Sequence, residues 1–381
     1  MGNTLSLSPS SRLPSATALQ MKRVTIYLPN LDGGGAERIM VSVANGIAAL
    51  GHTVDLVLAS ATGTYLSEVS DTVNVVDLGK RRVLASLPAL TRYLRSNAPD
   101  AVLSAINHSN IVALLAHKLA GARCRIVVSE RNAPSRSLAG GPVATLMRML
   151  TSKLYPSADA IVCVSQGVQR EMEDLLKLPP EKLTTIYNPL EIDRIASFRD
   201  APTDHEWLDQ KTAPVIVAVG RLTEQKDYPT LLRAFALLRQ DRTAKLIVVG
   251  EGEDRTRLET LASELAIAAD VEFVGFKQNP FAWMAASDLY VLSSAWEGLP
   301  GALLQAMACG ARIVSTDCRT GPDEILENGR WGRLVPVGDP GAMAAAMNAA
   351  LDDVSSPDVR TRAEAFRPEY AIAAYAGILG L

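Results

Sequence analysis

No apolar run in this 381-residue chain approaches the roughly 18 residues that a bilayer-crossing helix needs, so no segment is expected to span a membrane. Cysteine is scarce: Cys124, Cys163, Cys309 and Cys318 lie in or beside apolar segments, and none belongs to a C-x-x-C pair. That pattern speaks against a zinc site or a disulfide framework and for reduced structural thiols in a cytoplasmic protein. Histidine is rarer than one residue in ninety, four in all, and no cluster of metal-ligating type is visible, so no metal is expected. Large charge of either sign is missing as well. A net charge of −3 argues against a nucleic-acid partner.

What is present suits a soluble enzyme: 48% apolar and 21% charged residues. The length exceeds what one hydrophobic core usually serves, so two domains are expected. Residues 1–20 are rich in Ser, Pro and Leu without periodicity and read as a disordered extension. From Met21 short apolar runs alternate with helical stretches: VTIYL, TVDLVLA, DAVLSA, RIVVS, DAIVCVS and LTTIY. After a polar passage near 199–214 the rhythm restarts with PVIVAVG, AKLIVVG, VEFVG, DLYVLSS, ARIVST and GRLVP. Such runs are continuous rather than alternating, as in parallel strands buried on both faces. The expected fold class is α/β, with two doubly wound Rossmann-like domains facing across a cleft. The first would cover 21–198 and the second 199–365, with a C-terminal helix, 366–381, packing back on the first.

Charge divides at the same boundary. Residues 21–190 hold 18 Lys and Arg against 13 Asp and Glu, a balance of +5, and residues 191–381 hold 19 against 28, a balance of −9. A basic first domain on an acidic chain implies an anionic partner there. Two stretches, KRRVLASLPALTRYLR (80–95) and PVATLMRMLTSKLY (142–155), mix apolar side chains with Lys and Arg. They are candidates for contact with an anionic membrane surface. Core-facing helices with solvated basic backs would give the same pattern.

The chemistry-bearing stretches lie at strand ends. LDGGGAERIM places Gly33, Gly34 and Gly35 before a helix, where backbone can approach an anion closely. A nicotinamide dinucleotide would require G-x-G-x-x-G and an acid at the end of the second strand; Asp55 falls inside that strand instead. In GRLTEQKDYPTLLRAF, Gly220, Arg221 and Lys226 follow the first strand of the second half. Gly250 and Gly252 end the next strand, and Phe276 with Lys277 follow the third. Three polar or glycine-rich strand ends on one sheet edge read as a floor for a nucleotide diphosphate, where Arg offers a planar fork and Lys a compact charge. WEGLPGALLQAMACGARIVSTDC then carries Glu297 and, eight positions on, Gln305 inside an otherwise apolar helix.

Together GRLTEQKD, VVGEGED, VEFVGF and SAWEGLPGALLQAMACGARIVSTDCRTGPDEIL resemble family 4 of retaining glycosyltransferases, which has the two-domain GT-B architecture. The likeness covers 21 to about 365. SERN, YNPLEID and STDCRTGPDEIL are similar to members that build bacterial capsule, exopolysaccharide or lipid-linked oligosaccharide, often from UDP-N-acetylhexosamines. The resemblance implies that Arg221 and Lys226 neutralise the departing diphosphate. It also implies that Glu297 stands beside the transferred sugar, that the backbone of Gly298, Leu299, Pro300 and Gly301 holds sugar hydroxyls, and that Phe276 and Lys277 meet the base. Gly33, Gly34 and Gly35 would face the phosphates across the cleft. Gln305 occupies the second acid of the family's E-x7-E motif, where relatives grip the ribose, so it would do the same with a neutral amide.

No D-x-D metal motif occurs, so transfer without a metal or other cofactor is expected, the nucleotide sugar being a substrate. In the first half the family pattern is less closely kept: many relatives have a His where this chain has Glu130 and Arg131, and His108, in SAINHSN, is the alternative acceptor-side candidate. The expected function is retaining transfer of a hexose or N-acetylhexosamine from a nucleotide sugar to a lipid-linked or oligosaccharide acceptor. A GT-B nucleotide-sugar 2-epimerase, which would convert donor incubated alone, and a non-catalytic sugar-nucleotide-binding module are the alternatives.

Overall fold

The computed structural model describes residues 20–32, 34–353, 355 and 357–381. The expectation of disorder for 1–20 and the assignment of Gly33 therefore fall, all but residue 20, outside the described residues. Among the described residues thirteen parallel strands form two sheets. The first contains β1 (Arg23–Leu28), β2 (Thr53–Leu58), β3 (Val73–Asp77), β4 (Ala101–Ala105), β5 (Arg125–Glu130), β6 (Ala160–Cys163) and β7 (Leu183–Thr185), in the order β3-β2-β1-β4-β5-β6-β7. The second contains β8 (Val215–Val219), β9 (Lys245–Val249), β10 (Val271–Gly275), β11 (Leu289–Leu292), β12 (Ile313–Thr316) and β13 (Arg333–Val335), in the order β10-β9-β8-β11-β12-β13. Each order reverses direction at its first strand, between β1 and β4 and between β8 and β11. That break opens a crevice at the carboxyl ends of the strands.

The central strands carry Val, Ile and Leu on both faces because helices cover both. In β1, Val24, Ile26, Tyr27 and Leu28 are wholly buried, as are Ile216 and Val217 in β8. Asp55 is the exception inside β2. It is buried, yet it accepts from Arg23 Nε at 2.6 Å, Asn74 Nδ2 at 2.8 Å and Tyr93 OH at 2.5 Å, so its carboxylate serves the sheet and not a ribose. β3 lies at the sheet edge with only Val73 buried, which is why its VNVVD does not read as a continuous apolar run.

The chain passes between the sheets twice. Helix Ile192–Phe198 follows the first sheet and packs on helix Gly301–Cys309 of the second. After β13 and two further helical segments, helix Pro368–Leu379 returns to helix Gly35–Ala49 beside the first sheet and buries Tyr375 there. The two passages touch: Leu190 N–H donates to Phe366 O at 2.8 Å, and the rings of Tyr187 and Phe366 meet edge-on at 5.3 Å.

Candidate active site

The second sheet builds most of the site. β8 ends at Val219, just before Gly220, and the chain then makes the short turn Glu224–Lys226 before helix Tyr228–Asp241. Asp227, at φ 43°, caps that helix by accepting from Thr230 Oγ1 at 2.7 Å. The turn is tied to the loop after β11. Ser293 Oγ donates to Lys226 O at 2.6 Å, and Gln225 Nε2 donates to Trp296 O at 2.9 Å. Two segments 71 residues apart therefore hold Lys226 Nζ 2.5 Å from Glu297 Oε1. Ser294 Oγ donates to the same oxygen at 2.7 Å, and Thr320 Oγ1 donates to the Glu297 carbonyl. Glu297 is buried, while Arg221 is exposed and has no ion-pair partner among the described residues.

Gly250 and Gly252 have a constructional reason that sequence reading did not supply. A Cβ on Gly250, whose φ is +148°, would stand 2.0 Å from Gly220 O, and one on Gly252 would stand 2.2 Å from Leu222 O. Their lack of side chains lets the loop after β9 lie directly against the Gly220–Arg221–Leu222 backbone. Phe276 is exposed, and Lys277 Nζ lies over the Trp283 ring at 5.1 Å. Leu299 and Pro300 are buried and Gly301 is exposed. Gly298 is a contact between the two halves. Its carbonyl accepts from Ser165 Oγ at 2.8 Å, and a Cβ there would lie 2.2 Å from Arg131 O. Gln305 is half-buried on helix Gly301–Cys309, and its amide makes no hydrogen bond among the described residues.

On the first sheet's side, Gly34 caps helix Gly35–Ala49, and the Glu37 carboxylate folds over it: a Cβ on Gly34 would fall 1.9 Å from Glu37 Oε2. His108 lies in the first turn of helix Asn107–Ala120, behind Ile106, whose φ of 75° is rare for a β-branched residue. That turn leaves His108 open to solvent, while crowding around its ring lowers its pKa below 6.5.

Glu130 and Arg131, the acceptor-side candidates at the end of β5, are both buried. Glu130 is 1% exposed and accepts from Tyr155 OH at 3.0 Å and Asn107 Nδ2 at 3.4 Å; burial raises its pKa. Arg131 is 7% exposed and donates to Asn188 Oδ1 at 2.7 Å, and burial lowers its pKa. Both side chains are buried, and Glu130 Oε1 and Arg131 Nη1 are left without a hydrogen-bond partner among the described residues. What faces the cleft instead is Arg136. Its Cζ lies 4.0 Å from the centre of the Trp296 ring, beside a cavity of about 510 Å³ that reaches Glu297. Arg136 and Trp296 are 160 positions apart in the chain, and neither has a motif of its own. Among the described residues no three His, Cys, Asp or Glu side chains gather as metal ligands.

Residues 33–194 match the family described as Glycosyltransferase Family 4, and residues 213–353 match glycosyl transferases group 1, so the first match takes in β2 to β7 and the second all of the second sheet. The chain is a family 4 glycosyltransferase. Over 362 residues it is 28% identical to a Campylobacter jejuni protein named N-acetylgalactosamine-N,N'-diacetylbacillosaminyl-diphospho-undecaprenol 4-alpha-N-acetylgalactosaminyltransferase, covering 91% of this chain and 96% of that one. A second C. jejuni protein, an alpha-1,4-N-acetyl-D-galactosaminyltransferase named for a GalNAc-containing diNAcBac-PP-undecaprenol, is 25% identical over 87% of this chain and 90% of its own. Among solved structures, the glycosyltransferase superposes on Anabaena HepE in complex with UDP and glucose with a TM-score of 0.76 at 20% identity, covering 94% of this chain and 99% of that one. A Rickettsia africae glycosyltransferase gives a TM-score of 0.78 at 17% identity, over 94% and 98% of the two chains. At such identities the superpositions speak for the shared GT-B fold.

Proposed function

We propose that this glycosyltransferase moves a hexose or N-acetylhexosamine from a UDP-linked sugar to a lipid-linked or oligosaccharide acceptor in cell-surface polysaccharide or lipid-linked oligosaccharide synthesis. Transfer proceeds with retention and without a metal or other cofactor. The observation that carries this reading is the Lys226–Glu297 pair at the carboxyl edge of the second sheet, with Arg221, five positions before Lys226, exposed and without an ion-pair partner among the described residues. Departure of a nucleoside diphosphate builds negative charge on the phosphates and positive charge on the sugar. Arg221 and Lys226 answer the first, Glu297 the second, each worth about 2 to 4 kcal/mol if it behaves as a preorganised oxyanion-hole donor does. The departing phosphate takes the proton of the acceptor hydroxyl. Gln305, whose amide has no hydrogen-bond partner among the described residues, accepts from and donates to the ribose hydroxyls.

The activities for which the two Campylobacter relatives are named support a lipid-diphosphate acceptor. Helix Pro142–Leu154 supports a meeting with a membrane surface. It leaves Val143, Leu146 and Met149 exposed along one stripe, with Arg148 and Lys153 beside them. Among the described residues no helix is long and apolar enough to cross a membrane, so the reading is peripheral contact on the cytoplasmic face. The test is turnover of a panel of nucleotide sugars with a lipid-linked acceptor, in the presence and absence of chelator, with the product anomer read by NMR. Inversion, or activity abolished by chelator and restored by a divalent cation, would refute the mechanism. Binding to anionic vesicles that exceeds binding to neutral ones and weakens with salt would support the membrane surface.

A further inference from the structure

We infer that Arg136, laid on Trp296, reads a phosphate of the acceptor and so makes this transferase selective for acceptors whose sugar is carried on a diphosphate. This rests on the transferase reading above. The cavity between the two halves is lined by Asn132, Arg136 and Ser137 on one side and by Glu224, Trp296 and Glu297 on the other. Arg221, Lys226, Gly250, Gly252 and Gln305, the candidates for the donor, do not line it. It therefore approaches Glu297 from the side that an incoming hydroxyl must use.

Arg136 is the one cation among its lining residues and has no carboxylate partner within 4.0 Å among the described residues. It is held in place all the same. Its backbone belongs to the short helix Pro134–Ser137, and Ser135 is fixed by the buried Glu171 carboxylate, which accepts from Ser135 N at 2.8 Å and Ser135 Oγ at 2.9 Å. Leu138, two positions on, is buried. Stacking on an indole occupies the face of a guanidinium and leaves its edge donors free, which is the edge that forks onto phosphate oxygens. An unpaired, positioned fork costs little to reorganise on binding.

The surroundings say which phosphate. Ala139 and Gly140 also line the cavity, and two residues later the chain enters helix Pro142–Leu154 with its exposed apolar stripe. Arg136 thus shares the cavity with Glu297, and the chain leads from that cavity directly into the helix with the apolar stripe. A lipid-linked acceptor likewise joins a prenyl chain, a diphosphate and the accepting sugar.

The experiment compares three acceptors bearing the same sugar: a prenyl diphosphate, the sugar 1-phosphate without lipid, and a non-ionic alkyl glycoside of matched tail length. Arg136→Ala is expected to lower kcat/KM for the prenyl diphosphate by about ten- to a hundredfold, mainly through KM, and so to erase most of the preference over the glycoside. Arg136→Lys, which keeps the charge and loses the fork, is expected to fall between. A loss confined to the prenyl diphosphate assigns the lipid-borne phosphate; an equal proportional loss on the sugar 1-phosphate assigns any phosphate ester. An equal loss on all three acceptors, or none on the prenyl diphosphate, overturns the inference while leaving the transferase reading standing. Calorimetry of the parent with nucleotide sugars separates the two levels, since a parent that binds no nucleotide sugar removes the transferase reading itself.

Discussion

Lys226 and Arg221 carry the same charge toward the same proposed ligand, yet their removal is expected to have different consequences. Lys226 Nζ is 2.5 Å from Glu297 Oε1, with side-chain exposures of 17% and 8%. Breaking a buried pair by removing one partner costs about 3 to 5 kcal/mol, because the survivor is left charged and unpaired. Glu297 would keep the hydroxyl of Ser294 at 2.7 Å and the amide of Gln225 at 3.4 Å, and water reaches the lysine end. The expected cost of Lys226→Met is therefore about 2 kcal/mol, a fall in Tm of about 4 to 8 °C for a domain of this size. Arg221 is exposed, so Arg221→Ala should stay within about 0.5 kcal/mol of the parent. Both should lose about 100- to 1000-fold in single-turnover rate. The assay is thermal and urea unfolding of the apo protein for Lys226→Met, Glu297→Gln, the double variant and Arg221→Ala, with quenched-flow turnover of the same set. The double variant should be less destabilised than the sum of the singles. Strict additivity, or Lys226→Met melting with the parent, would refute the pair as a stabilising contact and with it the preorganised cation.

Gly298→Ala should lower both Tm and turnover, because its methyl group would meet Arg131 O at 2.2 Å between the two halves; overpacking of this kind costs about 1 to 3 kcal/mol. Parent-like melting and kinetics would show that the halves need not approach so closely. Gln305→Ala should weaken donor binding about tenfold and Gln305→Glu should keep or tighten it, as read by calorimetry. Equal donor affinity in Gln305→Ala would remove the amide from the site. Glu130 has a folded pKa raised above 4.5 by burial, so the stability it contributes is fully present below that pH and is lost as pH rises through the raised value. Glu130→Gln should therefore gain on the parent in melts taken from pH 5 to pH 8. A constant difference across that range would mean that the carboxyl does not titrate there.

Much of the architecture is legible because buried parallel strands must be apolar on both faces. VTIYL and PVIVAVG announce themselves in this way, whereas VNVVD at the exposed edge does not. Lys226 and Glu297 each belong to a recognisable local pattern in the loops that follow β8 and β11, while the contact between them belongs to the fold. For Glu130 and Arg131, SERN shows which residues follow the run of β5 but not what their side chains meet. Asn107 and Tyr155, from elsewhere in the chain, claim Glu130, and Asn188 claims Arg131. The pairing of Arg136 with Trp296 has no local signature at all, since it exists only when the loop after β5 meets the loop after β11.

The return of helix Pro368–Leu379 to the first sheet makes the second half an inserted domain rather than an appended one. Two covalent threads then join the halves, and they run side by side, pinned where Leu190 N–H meets Phe366 O and where Arg367 Nη1 lies 3.4 Å from Asp193 Oδ1. A single tether would permit swivel and drift; a doubled one leaves a rotation about one axis. A relative motion of the halves would then be the swing of a door hung on two pins, and its return would bring Gly298 back to the same place against Arg131 and Ser165.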